Sequence, residues 1–472
     1  MHRSGAPAPT PTVPNLGTDP DPDTAVPFCE RPDAGPAVVV GAGDPVVDAE
    51  VPTLVDTDVP AAVGRELERL LGERVAGAAA LDGVFAADVA APVARFTLGG
   101  GRRMRSRFLW WAMRACGGAE RETPAALRTA AALELIQTCA LVHDDVMDGS
   151  SRRRGGPSFH ARLVARYPGT ASPGTAAAPF ATSAAVLAGD LALAWADDIV
   201  AATDFGDAAA RYGVLENWRA MRTEMVAGQY LDLHGQATGS RSAARAIRTA
   251  CLKTALYTVA RPLALGAAIA GADPRTVLDL CAAGRCAGTA FQLRDDIEGV
   301  FGDPLVTGKP SGDDIRSGKL TYLVAVALAR AESRPDRAAL SVLENSLGNA
   351  DLTEARLLRV REVLRDTGAL AAAEERIERL RAAGERRLDA AALEPAPALR
   401  LRALLAAVAA PTGPARAVSA APEAAPPAVG PAASAQASTA THPAHAVSRP
   451  VRPAAGPAPR RPSGATADRS SR

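Results

Sequence analysis

The sequence predicts an all-α protein, a single large helical bundle, and three observations predict it. Apolar residues recur at helical spacing through the middle of the chain. Strand-like alternation is missing there. No Pro/Gly/Ser-rich linker divides that middle into separate bodies.

The bundle is expected to occupy 61–410, between two tails. Residues 1–60 hold 12 of the 37 prolines, ten acids and two arginines, a local charge of −8. Residues 411–472 hold another 12 prolines with seven arginines and two acids, a local charge of +5. Neither stretch has enough apolar bulk to offset its ordering entropy, so an acidic and a basic disordered tail are expected. Within the bundle, Ala61 to Val75 places Val63, Leu67, Leu70 and Leu71 on one stripe with charges opposite. Thr123-Pro124 reads as a cap followed by Pro, opening a helix that runs through Leu127, Leu135 and Ile136 towards Val142. Segments 182–203, 215–235, 242–270, 275–301, 319–332, 353–366 and 370–392 follow. Several are apolar nearly all round, as helices at the centre of a bundle are.

Composition excludes several functions. A net charge of +1 argues against a dedicated nucleic-acid binder. The most apolar stretch, Ala181 to Ala202, is interrupted by Asp190, Asp197 and Asp198, so no transmembrane span is expected. Met1-His2-Arg3 is followed by no apolar core of a secretory signal. The six cysteines form no CxxC pair and suit buried thiols in a reducing cytoplasm. One oddity remains: only Lys253, Lys309 and Lys319 are lysines, and every other basic residue is arginine.

Two acidic clusters carry the chemistry. In LVHDDVMDGSSRRRGGPSFH, Asp144 and Asp148 share a helical face at i and i+4 and repel unless a cation lies between them. FQLRDDIEGVFGD brings Asp295, Asp296, Glu298 and Asp303 to the end of another apolar helix. Carboxylates at a helix C-terminus face the unfavourable end of the dipole. They suit Mg²⁺, which takes one or two carboxylates and completes its shell with water and phosphate. Cations accompany both clusters: Arg102 and Arg105 in GGGRRMR, Arg153 and Arg154 after the first acids, Lys309 and Lys319 after the second. So many charges of both signs suit diphosphates held through metal.

In order along roughly 90–400, GGGRRMR, DDVMDGSSRRRGGPSFH, LAGDLALAWA, EMVAGQYLDL, KTALYT and FQLRDDIEGVFGDPLVTGKPSGDDIRSGKLT resemble the motifs of the trans-isoprenyl diphosphate synthases, the polyprenyl synthetase family. The resemblance implies an isoprenoid-synthase bundle with a central active site, working as a homodimer. It also implies Mg²⁺-dependent, head-to-tail condensation of isopentenyl diphosphate with an allylic diphosphate. By resemblance Asp144 and Asp148 bind two Mg²⁺ and Asp295 a third, with Asp145 and Asp296 as further ligands or neighbours. Arg153, Lys253, Lys309 and Lys319 would grip the allylic diphosphate. Arg102, Arg105, Gln137 and Arg154 would hold isopentenyl diphosphate. Thr254 and Gln292 would face the allylic cation, supported by Gln229 and Asp232. All three lysines fall at positions where the resemblance places lysine against diphosphate, where a compact ammonium fits better than a guanidinium.

Three positions depart from the family pattern: Arg102 replaces a lysine, Ser106 a proline, and Gly299 the last aspartate of the second motif. Product length is expected to follow from the small Cys139 and Ala140, five and four residues before Asp144, with Ile136 and Ala132 not closing the space below. Geranylgeranyl diphosphate is therefore the expected product, with farnesyl or longer polyprenyl diphosphates as alternatives. A terpene cyclase would not need GGGRRMR and both acidic motifs together. A silent partner subunit would have lost acids of the first motif, which are all present.

Overall fold

The computed structural model describes residues 51–168, 177–303 and 311–410, and among them the chain is helical nearly throughout. Of the tails expected at 1–60 and 411–472, residues 1–50 and 411–472 lie outside the described residues. The packed body, however, begins before residue 61. Pro52–Thr57 and Val59–Leu81 are helices, and Val55 and Val59 are core residues. Pro52 and Pro60 stand in first helical turns, where a missing N–H costs nothing. Counted as tail markers, they are helix starters. Asp56 ties this short helix down by accepting from Trp110 Nε1 at 2.8 Å and from Arg114 Nη2 at 3.2 Å.

The Thr123–Met147 helix is the axis of the bundle, apolar on all sides because it is surrounded. Val59–Leu81, Met104–Ala115 and Ala177–Ala201 pack around it. Thr123 does not cap it: it is the first helical residue, and its hydroxyl donates to the Ala119 carbonyl at 2.9 Å. Pro274–Phe301 is the second long inner helix, packed on Ala369–Ala390. Its C-terminal half belongs to a second core cluster with Leu323, Leu328, Leu343 and Leu364.

Between Pro274–Phe301 and the Ala208–Thr238 helix runs 243–269, whose middle, Cys251–Ala260, is π-helical. Two glycines let its backbone come close. A Cβ on Gly228 would lie 2.3 Å from the Lys253 nitrogen, and one on Gly288 would lie 2.6 Å from Ala255 Cα. The π geometry, often found at functional sites, thus carries Lys253 and Thr254 between two helices that no side chain separates there.

After the first aspartates, Arg152–Arg153 and Gly156–Pro157 form a two-stranded antiparallel hairpin. Its turn has Arg154 at φ 51° and Gly155 at φ 79°, both left-handed, as the tightest hairpin turns require. Two helices, Thr123–Met147 and Ala177–Ala201, are long and apolar enough to cross a bilayer. The first is a core helix. In the second only 33% of the apolar window is buried, leaving Val186 and Leu187 on the surface.

Candidate active site

The first acidic cluster sits where the central helix stops. Asp144 lies in its last turn and Asp148 is its C-cap residue. The hairpin folds back so that Arg153 spans both neighbours: Nη2 lies 2.6 Å from Asp145 Oδ1 and 3.2 Å from Asp144 Oδ2. From the π segment, Lys253 Nζ lies 3.2 Å from Asp144 Oδ1 and 2.6 Å from Asp232 Oδ2. Gln229 Nε2 donates to Asp144 Oδ1 at 3.3 Å. Asp144, Arg153, Gln229, Asp232 and Lys253, from four separate elements, therefore form one network.

The second cluster is divided by the pitch of its helix. Asp295 is exposed, while Asp296 is buried and accepts from Gln292 Nε2 at 2.8 Å. Asp296, Gln292, Lys253, Thr254, Asp232 and Lys319 line one cleft. Asp296 thus lines this cleft, whereas Asp295, expected as the metal ligand, is solvent-exposed in the same turn. Lys319 Nζ is 3.7 Å from Asp314 Oδ1.

Electrostatics separate the acids. Burial alone would raise Asp144, but the Lys253 ammonium, then Arg153 and Lys319, hold its carboxyl below the ordinary range. Burial raises Asp145, and Arg153 offsets only part of that. Desolvation followed by the Asp144 charge raises Asp148. Burial pushes Asp296 up to about 7, with Lys319 opposing. Lys319 is pulled down by burial, yet Asp314, Asp232, Asp296 and Asp144 more than reverse this and carry it above the usual lysine range.

Two of the other expected cations, Arg105 and Arg154, stand beside Tyr257 and Phe96. Arg105 Nη2 donates to Thr258 Oγ1 at 2.9 Å, and its guanidinium stacks 4.2 Å above the Tyr257 ring. Tyr257 in turn donates to Gln137 Oε1 at 2.7 Å. Arg154 lies over the Phe96 ring and donates to the Phe96 carbonyl at 3.1 Å. Arg105, Gln137 and Arg154 are thus brought together. Arg102 is exposed on the loop, and Lys309 lies outside the described residues. Ser106, at the position of the family's proline, is buried and donates to Glu134 Oε1 at 2.7 Å.

Sequence reasoning missed Arg103, Tyr257 and Asp314. Arg103 holds φ 46° at the head of the Met104–Ala115 helix, and its Nη1 is buried without a hydrogen-bond partner among the described residues. Its signal was its place inside GGGRRMR. Tyr257 had only its spacing from Lys253, one π turn along.

The donor set fits magnesium. No three acids among the described residues converge closely enough to cage an ion alone. Magnesium takes one or two carboxylates and finishes its shell with water and phosphate oxygens. Asp145 Oδ2, buried beside Asp144 with no hydrogen-bond partner among the described residues, is an acceptor still to be satisfied.

Two carboxylate-bearing helix ends facing each other across lysines, beside a separate arginine cluster, make a double anion site. A family model described as Polyprenyl synthetase matches residues 87–359, more than half of the chain. The chain belongs to the polyprenyl synthetase family. This synthetase is 32% identical to a geranylfarnesyl diphosphate synthase of Aeropyrum pernix over 279 residues, covering 59% of this chain and 79% of that protein. It is 32% identical to a geranylgeranyl diphosphate synthase of Mycobacterium tuberculosis over 259 residues, 55% of this chain and 67% of that one. The crystal structure of a geranylgeranyl pyrophosphate synthase from Corynebacterium glutamicum, complexed with isoprenyl diphosphate and magnesium, superposes with a TM-score of 0.69. That chain is 36% identical, with 75% of this chain and 98% of that one covered. The synthetase is accordingly a prenyltransferase with the helical isoprenyl-synthase fold.

Proposed function

We propose that the protein condenses isopentenyl diphosphate head-to-tail with an allylic diphosphate and releases geranylgeranyl diphosphate. The observation that carries this reading is Lys253, held between Asp144 and Asp232 in the cleft that Asp296 and Lys319 close from the other side. Asp144, Asp148 and Asp295 would hold three Mg²⁺, with Asp145 and Asp296 beside them. Bound there, magnesium neutralises diphosphate charge and eases departure of the leaving group. Arg153, Lys253, Lys309 and Lys319 would bind the allylic diphosphate, with Arg153, Lys253 and Lys319 exchanging their carboxylate partners for phosphate oxygens. Arg102, Arg105, Gln137 and Arg154 would hold isopentenyl diphosphate on the other side. Thr254 and Gln292 present neutral dipoles to the positive charge developing on the allylic carbon.

The small side chains of Cys139 and Ala140 support a product longer than farnesyl. The exposed apolar face of Ala177–Ala201, with Tyr212, Val226 and Tyr230 also uncovered, supports a homodimer packed through that face. Burial pushes the thiols of Cys116 and Cys139 up to about 12, and the five described cysteines are free, which supports a reducing cytoplasmic location. Incubating purified protein with Mg²⁺, isopentenyl diphosphate and allylic primers, then sizing the products, tests the proposal. Geranylgeranyl diphosphate is expected. Farnesyl diphosphate as sole product would overturn the length assignment, and no elongation would overturn the activity.

A further inference from the structure

Gly299 stands at the end of the second acidic motif, where the family pattern has an aspartate, and the simple interpretation is a lost acid. The structure fills that place differently. A Cβ built on Gly299 would lie 2.9 Å from Asp314 Oδ2 and 3.7 Å from its Cγ. The carboxylate of Asp314 therefore occupies the recess that a side chain at 299 would need. The loop bearing it is anchored to the same helix end. Gly312 N donates to the Gly299 carbonyl at 2.7 Å, and Ser311 Oγ donates to the Val300 carbonyl at 3.1 Å. Arg361 Nε reaches the same Val300 carbonyl at 2.8 Å. Past Asp314 the chain turns so that Lys319 N donates to the Asp314 carbonyl at 2.9 Å, with Lys319 Nζ 3.7 Å from Asp314 Oδ1.

We propose that Gly299 is the recess that admits Asp314, and that Asp314 positions the Lys319 ammonium in the cleft. The acid missing from the helix is supplied in space by the following loop. A side chain at 299 would make the end of the Asp314 side chain give way, drawing its carboxylate off Lys319, and an aspartate there adds like-charge repulsion. The inference rests on assigning Lys319 to the allylic diphosphate. It makes a prediction opposite in sign to the lost-acid interpretation: restoring the family's aspartate harms this enzyme.

The test compares Gly299→Asp, Gly299→Ala, Asp314→Ala, the Gly299→Ala/Asp314→Ala pair and Lys319→Ala. Steady-state kinetics are read for each substrate, with thermal unfolding as a check of folding. Misplacing an ion-paired charge predicts a fall of about tenfold in kcat/KM for the allylic diphosphate in Gly299→Asp and in Asp314→Ala. The KM for isopentenyl diphosphate should stay within about twofold. Gly299→Ala should lower activity in the parent but add little once Asp314 is alanine, because the clash has gone. Should Gly299→Asp not fold, Gly299→Ala and the pair carry the test. Gly299→Asp at or above parental activity overturns the proposal, as does an undiminished Gly299→Ala effect in the Asp314→Ala background. Lys319→Ala separates the two levels. If it raises the allylic KM while the Gly299 and Asp314 variants do not, only the recess idea fails. If it is silent, the assignment of Lys319 fails and takes the proposal with it.

Discussion

The hydroxyl of Tyr257 donates a 2.7 Å hydrogen bond to Gln137 Oε1, joining the π segment to the helix that ends in the first aspartates. Burial pushes this phenol well above its ordinary range, so it remains a donor at any working pH. The same ring lies under Arg105. Tyr257→Phe should raise the KM for isopentenyl diphosphate several-fold and leave the allylic KM near parental. Tyr257→Leu should cost more, since a stacked cation contributes about 0.5–2 kcal/mol. Separate saturation curves for the two substrates check this; a shift confined to the allylic KM would contradict the assignment.

Lys253 touches two carboxylates from different helices. Lys253→Met should reduce kcat by about 100-fold or more, the scale for removing one preorganised charge partner. Lys253→Arg should recover little, because a planar fork does not reproduce a compact ammonium between two acids. Single-turnover rates with saturating substrates measure both.

Asp144→Ala should abolish turnover while leaving the fold intact, as judged by helical circular dichroism. It removes the acceptor shared by Arg153, Gln229 and Lys253. An unchanged rate would remove the basis for the metal assignment.

Asp296 should make the metal-free protein lose stability as pH rises. Its folded pKa of about 7 lies above the ordinary carboxylate value, so the folded state binds the proton more tightly than the unfolded chain. The contribution is present below about pH 4 and is lost as pH climbs through about 7. Asp296→Asn should flatten that slope in thermal melts with chelator. An identical slope in the variant would show that other groups cause it.

Gly288 leaves no room for a side chain against the π segment. Gly288→Ala should destabilise by about 1–3 kcal/mol, as core overpacking does. Because the displaced backbone is that of Ala255, two residues from Lys253, kcat should fall as well. Denaturant unfolding alongside kinetics checks the pair of effects.

Much of the site was legible before any fold was known. Asp144 and Asp148 share a face because i and i+4 always do in a helix, and the glycine turn before Arg102 and Arg105 announced an anion site. The 61 boundary was misread because proline density marks disorder only when the prolines do not start helices, as Pro52 and Pro60 do. Asp295 and Asp296 could not be ranked from spacing: a helix end carries adjacent acids to different sides, and the packing angle decides which side faces the cleft.

Local spacing along the chain was enough to establish an all-helical bundle, two acidic helix ends, their cationic companions and the family. These follow from helical periodicity and residue chemistry, which act over a few residues. The pairings belong to another scale. Lys253 meets Asp144 across 109 positions, Tyr257 meets Gln137 across 120, and Asp314 enters the space beside Gly299. Which side chains meet there depends on how closely and at what rotation whole helices pack. Glycines such as Gly228 and Gly288 set that closeness, and no short-range pattern encodes it.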